Sequence, residues 1–270
     1  MSRVIPKISI HPSLWIFALL SFLSGQFSSF FLLFFYICLH EIGHVLAAWL
    51  LGWKIEKVAL LPFGGQMQAR GILDREILEE SVVTLSGPFV NVLIIVILSV
   101  FFHDWSGFHE SIRMNLQLLV FNMLPIWPLD GGRLVYLFAA SFLPFKKANL
   151  WVCRISLFGI ALLFLMILQQ SFQLQWLLLL GYTLFCCLDH LKNLPVIEQQ
   201  FFLERWKSDQ GRGKMIPEIV QQELTVKDLV KKLKKGKRQT FILTWNGNIR
   251  KMNDTEIARI YFRLPPSSYR

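Results

Sequence analysis

The sequence predicts a polytopic α-helical membrane protein. It has six transmembrane segments, a re-entrant or β-hairpin loop between the second and third, and a small cytosolic α+β domain at the C-terminal end. Three observations predict this. Hydrophobic residues make up 54% of the 270 positions and charged residues only 17%, with a mean hydropathy of +0.46, unlike a soluble domain. Apolar runs recur at close to the roughly 20 residues that a helix needs to cross hydrocarbon. The charge is also uneven: residues 195–270 carry 16 Lys and Arg against 8 Asp and Glu, a surplus of +8 within a formal net charge of +10. A basic soluble part therefore follows an apolar part.

The apolar segments are 13–23, 28–51, 77–102, 113–142, 149–168 and 174–191. The first is short and can be extended back toward Ile8. The start "MSRVIPKISIHPSLWIF" has a basic flank and then an apolar run without a small-residue cleavage site, which reads as a first membrane helix and not as a signal peptide. The fourth segment is broken by "LPIWPLDGG", whose prolines and glycines cannot continue a regular helix. Loops 24–27, 103–112 and 169–173 contain no Lys or Arg, although Arg113 borders the second. The other side holds Arg3, Lys7, Lys54, Lys57, Lys146, Lys147, Lys192 and the basic tail. The positive-inside rule then places both termini in the cytosol. Between segments 2 and 3, "WKIEKVALLPFGGQMQARGIL" is punctuated by Pro62, Gly64 and Gly65, as a hairpin or re-entrant loop would be. The domain division is a membrane domain at 1–194, a linker at 195–212 and a C-terminal domain at 213–270.

The chemistry lies in "HEIGH", residues 40–44. Two imidazoles at i and i+4 share one helix face. That spacing suits two ligands of a tetrahedral Zn²⁺, with Glu41 as general base toward a water molecule that the metal has acidified. Inside a membrane segment the motif is a stronger signal, because polar groups in hydrocarbon require a binding partner. The bland alternative is a pair of buried histidines bonded to carbonyls. His40 and His44 leave catalytic zinc one protein ligand short, and Asp130, the only acidic residue within segment 4, is the candidate third. Its competing role is to cap the half-helix that starts at Gly131. Asp189, Glu56, Asp104, Glu110, His103 and His109 are placed worse, and His11 and His190 read as interfacial. Cys38, Cys153, Cys186 and Cys187 lack CxxC spacing, so neither a disulfide framework nor a cysteine zinc site is expected.

On the residues "HEIGH" (40–44), "PFGG" (62–65), "SGPFVN" (86–91) and "NMLPIWPLDGG" (122–132), the chain resembles the site-2 protease family of intramembrane zinc metalloproteases. The resemblance implies zinc on His40, His44 and Asp130, with Glu41 catalytic. Asn122 would orient substrate, unless it merely bonds a neighbouring helix. Phe63, Gly64 and Gly65 would lie in a hairpin that offers a strand edge to an extended substrate. Within the family the resemblance is to members that act in sporulation. It implies the inactive precursor of sigma-K as substrate, inhibitory membrane proteins of a sporulation checkpoint as partners, and the outer forespore membrane as location.

The tail "LTVKDLVKKLKKGKRQTFILTWNGNIRKMNDTEIARIYF" reads helix, strand, turn, strand, helix. A hairpin turns at "NGN". It resembles a single cystathionine-β-synthase (CBS) motif. That implies an adenine nucleotide such as ATP as a second ligand, and a homo-oligomer, since such motifs pair. The run "KKLKKGKR" suits phosphates, acidic headgroups or an acidic substrate, or is a solvated helix end. Nucleic acid is not expected of a domain tethered to a membrane. Two rival functions remain: a membrane zinc hydrolase of lipid amides, and a non-enzymatic zinc transporter or sensor, which needs ligands but no Glu41.

Overall fold

The computed structural model describes residues 7–10, 12–25, 27–61, 64–169, 174–207, 215–220, 226–245 and 248–262. The apolar part forms α1 (Pro12–Leu23), α2 (Phe27–Leu50), α3 (Ile77–Phe101), α4 (Phe108–Asn122), α5 (Asp130–Phe142), α6 (Phe145–Leu168) and α7 (Leu174–Lys207). Among the described residues four helices are long and apolar enough to cross a membrane: α2, α3, α6 and the Leu177–Lys207 part of α7. The first expected segment is a 12-residue helix. The fourth is two helices of 15 and 13 residues with a break at 123–129.

The helices bury polar groups and expose apolar ones. On α2 the buried stripe is Tyr36, Ile37, His40, Glu41, Gly43, His44 and Ala48. Its outer face carries Phe31, Phe35, Ile42, Leu46, Trp49 and Leu50. On α3 the buried residues Glu80, Val83, Thr84, Gly87, Pro88 and Asn91 follow helical spacing, and Phe89, Val92 and Val96 point outward. So much exposed apolar surface is stable in lipid, not in water. The two helices meet closely at Gly43, where a Cβ would lie 2.7 Å from the Ser86 carbonyl oxygen. A small residue is what permits such an approach.

The loop after α2 is a β-hairpin, as expected: β2 (Ile55–Leu61) runs antiparallel to β3 (Gly64–Ala69), with Leu61 opposite Gly64. The N-terminal stretch corrects the sequence reading. Lys7–Ile10 does not extend the first helix. It forms β1, parallel to β2, with Lys7 opposite Lys57. "KISI" alternates β-branched and polar residues, and Pro12, the first residue of α1, is suited to start a helix and not to sit inside one.

The proposed linker is also different. α7 continues through Pro195 to Lys207, so most of residues 195–212 is helix and the rest lies outside the described residues. The tail folds as β4 (Met215–Val220), α8 (Val226–Val230), β5 (Arg238–Trp245), β6 (Asn248–Asn253) and α9 (Asp254–Phe262). The hairpin β5–β6 is the expected one, closing at Trp245 opposite Asn248. Strand β4, parallel to β5, lies at the start of the expected C-terminal domain, ahead of its helix–strand–turn–strand–helix pattern, and "MIPEIV" holds a proline. Pro is tolerated at such a sheet edge. This module shares a core with the membrane part. Leu229, Leu233, Phe241 and Ile257 pack in one buried cluster with Tyr136, Leu137, Phe145 and Phe201.

Candidate active site

The HExxH histidines face inward from the middle of α2. His40 Nε2 and His44 Nε2 are 3.1 Å apart. Asp130 Oδ2 lies 3.0 Å from the first and 3.3 Å from the second. His40, His44 and Asp130 thus form a group that could hold a metal ion. Tetrahedral zinc with bonds of about 2.0 Å needs ligand atoms about 3.3 Å apart, so the triangle has the right size. The tautomers also fit. His44 Nδ1 donates to the Val83 carbonyl at 2.7 Å, and an acceptor of that kind requires the proton on Nδ1. His40 Nδ1 is 3.3 Å from Asn91 Oδ1. Both Nε2 atoms then carry lone pairs aimed at each other and at a carboxylate, an arrangement that a divalent cation stabilises.

Asp130 reaches this point because of the break between α4 and α5. A Cβ on Gly131 would sit 2.2 Å from the Met123 carbonyl oxygen, and one on Gly132 would sit 2.5 Å from Ile126 backbone. Only glycines allow the break to fold back on the first turn of α5. The capping alternative does not hold. Asp130 is the first residue of the helix, and the N-cap, Leu129, makes no side-chain cap.

Glu41 is buried, 8% exposed, and accepts a hydrogen bond from the Gly65 backbone N–H. The hairpin thus touches the acid directly. A Cβ on Gly65 would lie 2.4 Å from Glu41 Oε2. We expect Gly65→Val to push Glu41 aside, lowering cleavage at least tenfold while bound zinc, measured by atomic absorption, stays at the wild-type level. Gly64 has φ +148°, a region open chiefly to glycine. Phe63 lies outside the described residues. Asn122, at the end of α4, is 5% exposed, and its Nδ2 has no hydrogen-bond partner among the described residues.

These groups line one cavity of about 550 Å³, which also reaches Trp127, His190 and Lys235. His190, read as interfacial in the sequence, lines this cavity. Its Nε2 bonds Asn149 Oδ1 at 2.9 Å, and its ring lies 4.4 Å from that of Trp127. Sequence reasoning missed Val83 and Glu80, and assigned no role to Gly87 and Asn91 of "SGPFVN". A Cβ on Gly87 would be 2.4 Å from His44 Nε2 and 2.7 Å from His40 Nε2. Asn91 did leave a signal, as a polar residue inside an apolar segment.

Residues 28–113 match the model of peptidase family M50. The chain is 31% identical over 272 residues to stage IV sporulation protein FB of Bacillus subtilis (strain 168), covering 96% of this chain and 92% of that protein. It is 37% identical over 114 residues to a zinc metalloprotease of Methanocaldococcus jannaschii, covering 39% of this chain and 32% of that one. The fold is similar to that of a site-2 protease from the same archaeon, with a TM-score of 0.57 and 24% identity over 70% of this chain and 93% of the other. A metal-ligand triangle on HExxH and a late aspartate, together with a relative matched along almost its full length, identify the chain as a member of peptidase family M50, the site-2 proteases, and as a zinc metalloprotease.

Proposed function

We propose that this chain is an intramembrane zinc endopeptidase that cleaves a membrane-associated protein on the cytosolic side, with the precursor of the sporulation factor sigma-K as substrate. The observation that carries the reading is the convergence of His40, His44 and Asp130 on one point inside a bundle of apolar helices, with Glu41 on the same face. The substrate assignment is supported by the similarity to a sporulation protein along 96% of the chain.

Zinc held by His40, His44 and Asp130 would supply a Lewis acid that acidifies water and polarises a peptide carbonyl. The chain's own residues do the rest. Glu41 accepts the proton of the attacking water and delivers it to the leaving amine. The hydrogen bond from Gly65 holds its carboxylate in place until substrate arrives. Asn91 and the Val83 carbonyl fix the two imidazoles. Asn122 lines the cavity, its buried amide nitrogen has no hydrogen-bond partner among the described residues, and it orients the substrate backbone. Gly64 and Gly65, with Phe63, let an extended substrate lie beside β3, because a helical substrate keeps its carbonyls in hydrogen bonds and must first be unwound. A transporter or sensor would have no use for Glu41 beside the ligands.

Six spans, with both termini in the cytosol of the outer forespore membrane, complete this reading; α1 and the α4–α5 pair are the shorter crossings. Residues 213–270 act as a CBS-like regulatory domain with an adenine nucleotide as ligand and a second copy of the chain as its pair. Checkpoint membrane proteins hold the enzyme inactive. The test is co-expression with the sigma-K precursor. A shortened product should appear with the wild type and disappear on chelation of zinc. Asp130→Asn should lose the product and weaken zinc binding about a hundredfold, read by competition with a chromogenic chelator. Tight zinc binding by Asp130→Asn would remove it from the ligand set.

A further inference from the structure

The basic run "KKLKKGKR", 231–238, reads in sequence as an exposed patch, yet its middle is buried. Lys235 is 1% exposed. Its Nζ donates to the carbonyls of Ile72 at 2.7 Å and Leu73 at 2.9 Å and pairs with Glu80 Oε2 at 2.8 Å. Lys237 Nζ donates to the Ser141 carbonyl at 2.7 Å, and the Phe145 N–H donates to the Leu233 carbonyl at 2.9 Å. Between the lysines, Gly236 has φ +63° and would place a Cβ 3.0 Å from the Arg75 carbonyl oxygen. The turn is shaped to press against the membrane part.

Glu80 is the hub of this contact. It is 3% exposed, and its Oε1 takes Arg133 at 3.0 Å. Arg133 lies one turn after Asp130 on α5. Glu80 lies one turn before Val83 on α3, the helix that also supplies Gly87 and Asn91. One carboxylate therefore joins the helix that orients both histidines, the helix that carries Asp130, and the C-terminal module. A buried carboxylate between two cations is held firmly only while both remain.

We propose that Lys235 is a positioning residue for the metal ligands, acting through Glu80, so that docking of the C-terminal module and zinc binding strengthen each other. This rests on the reading of His40, His44 and Asp130 as the zinc site. Coupling of this kind is reciprocal. Undocking the module loosens the spacing of α3 and α5, and emptying the site loosens the module.

The experiment uses the full-length protein in nanodiscs and Zn²⁺ alone as ligand. Lys235→Met should bind zinc about tenfold more weakly in competition with a chelator, because α3 and α5, which hold the ligands, lose part of their shared anchor at Glu80; the size is an upper bound set by loss of direct partners of metal ligands. Lys235→Arg should recover most of that loss. Amide exchange at residues 229–241 should slow when zinc is added to the wild type and should not respond in Lys235→Met. If Lys235→Met does not fold, Glu80→Gln against Lys235→Arg makes the same comparison. Wild-type zinc affinity together with zinc-independent exchange overturns the proposal. So does a gain in cleavage by Lys235→Met, which would make the contact inhibitory. His44→Ala separates the two readings. If it loses zinc, the site stands whatever Lys235 does; if it keeps zinc and cleavage, the site assignment itself fails.

Discussion

Glu41→Gln should abolish cleavage, by about a thousandfold or more, while zinc stays bound. The amide cannot accept a proton from water, and a positioned general base is worth about two to four orders of magnitude. Zinc should remain because Glu41 is not among the three converging ligand atoms. The substitution keeps the shape of the side chain, and the Gly65 N–H can still donate to the amide oxygen. Cleavage of a co-expressed precursor and the zinc content of the purified protein are the two readouts. Cleavage that survives in Glu41→Gln would assign the base elsewhere, and loss of zinc would make Glu41 a ligand.

Gly87→Ala should cost both zinc and activity, although residue 87 has no functional group. Its Cβ would lie 2.4 Å from His44 Nε2 and 2.7 Å from His40 Nε2, in the space that the cation needs. Neither ring can withdraw without cost, since His44 is held by Val83 and His40 by Asn91. We expect zinc binding weakened by more than a hundredfold and no detectable product. Equilibrium dialysis against Zn²⁺ measures the first. Helix content by circular dichroism should stay unchanged, which separates a blocked site from a misfolded protein.

The legible parts of this fold were those with a strong local pattern. HExxH spacing, the apolar segments and the hairpins β2–β3 and β5–β6 each follow from a few neighbouring residues. Asp130 was legible too, because an acid at a break in an apolar segment has few other uses. What escaped depends on pairings between distant residues. Strand β1 exists only because Lys7–Ile10 finds Lys57–Leu60, and four residues are too few to declare a partner 50 positions away. Glu80 reads as an ordinary acid in the first turn of a helix. Its meaning comes from Arg133 and Lys235, both far off in the chain. Lys235 was misread for the converse reason: a run of lysines says that charge is present, and burial decides what it neutralises.

The parallel pairing of β1 with β2 also turns the hairpin into a three-stranded sheet. With the order β1-β2-β3, the chain's own N-terminal strand occupies the side of the hairpin away from Glu41. Among the described residues β3 has no second neighbour, and β3 is the strand whose Gly65 meets Glu41. A peptide added to this sheet beside β3, as we propose for the substrate, arrives against the Glu41 carboxylate. Two strands alone would be marginal. Strand β1, Lys7–Ile10, thus thickens the platform under β3 to three strands, so we expect an alteration in Lys7–Ile10 to be felt at the Gly65–Glu41 contact.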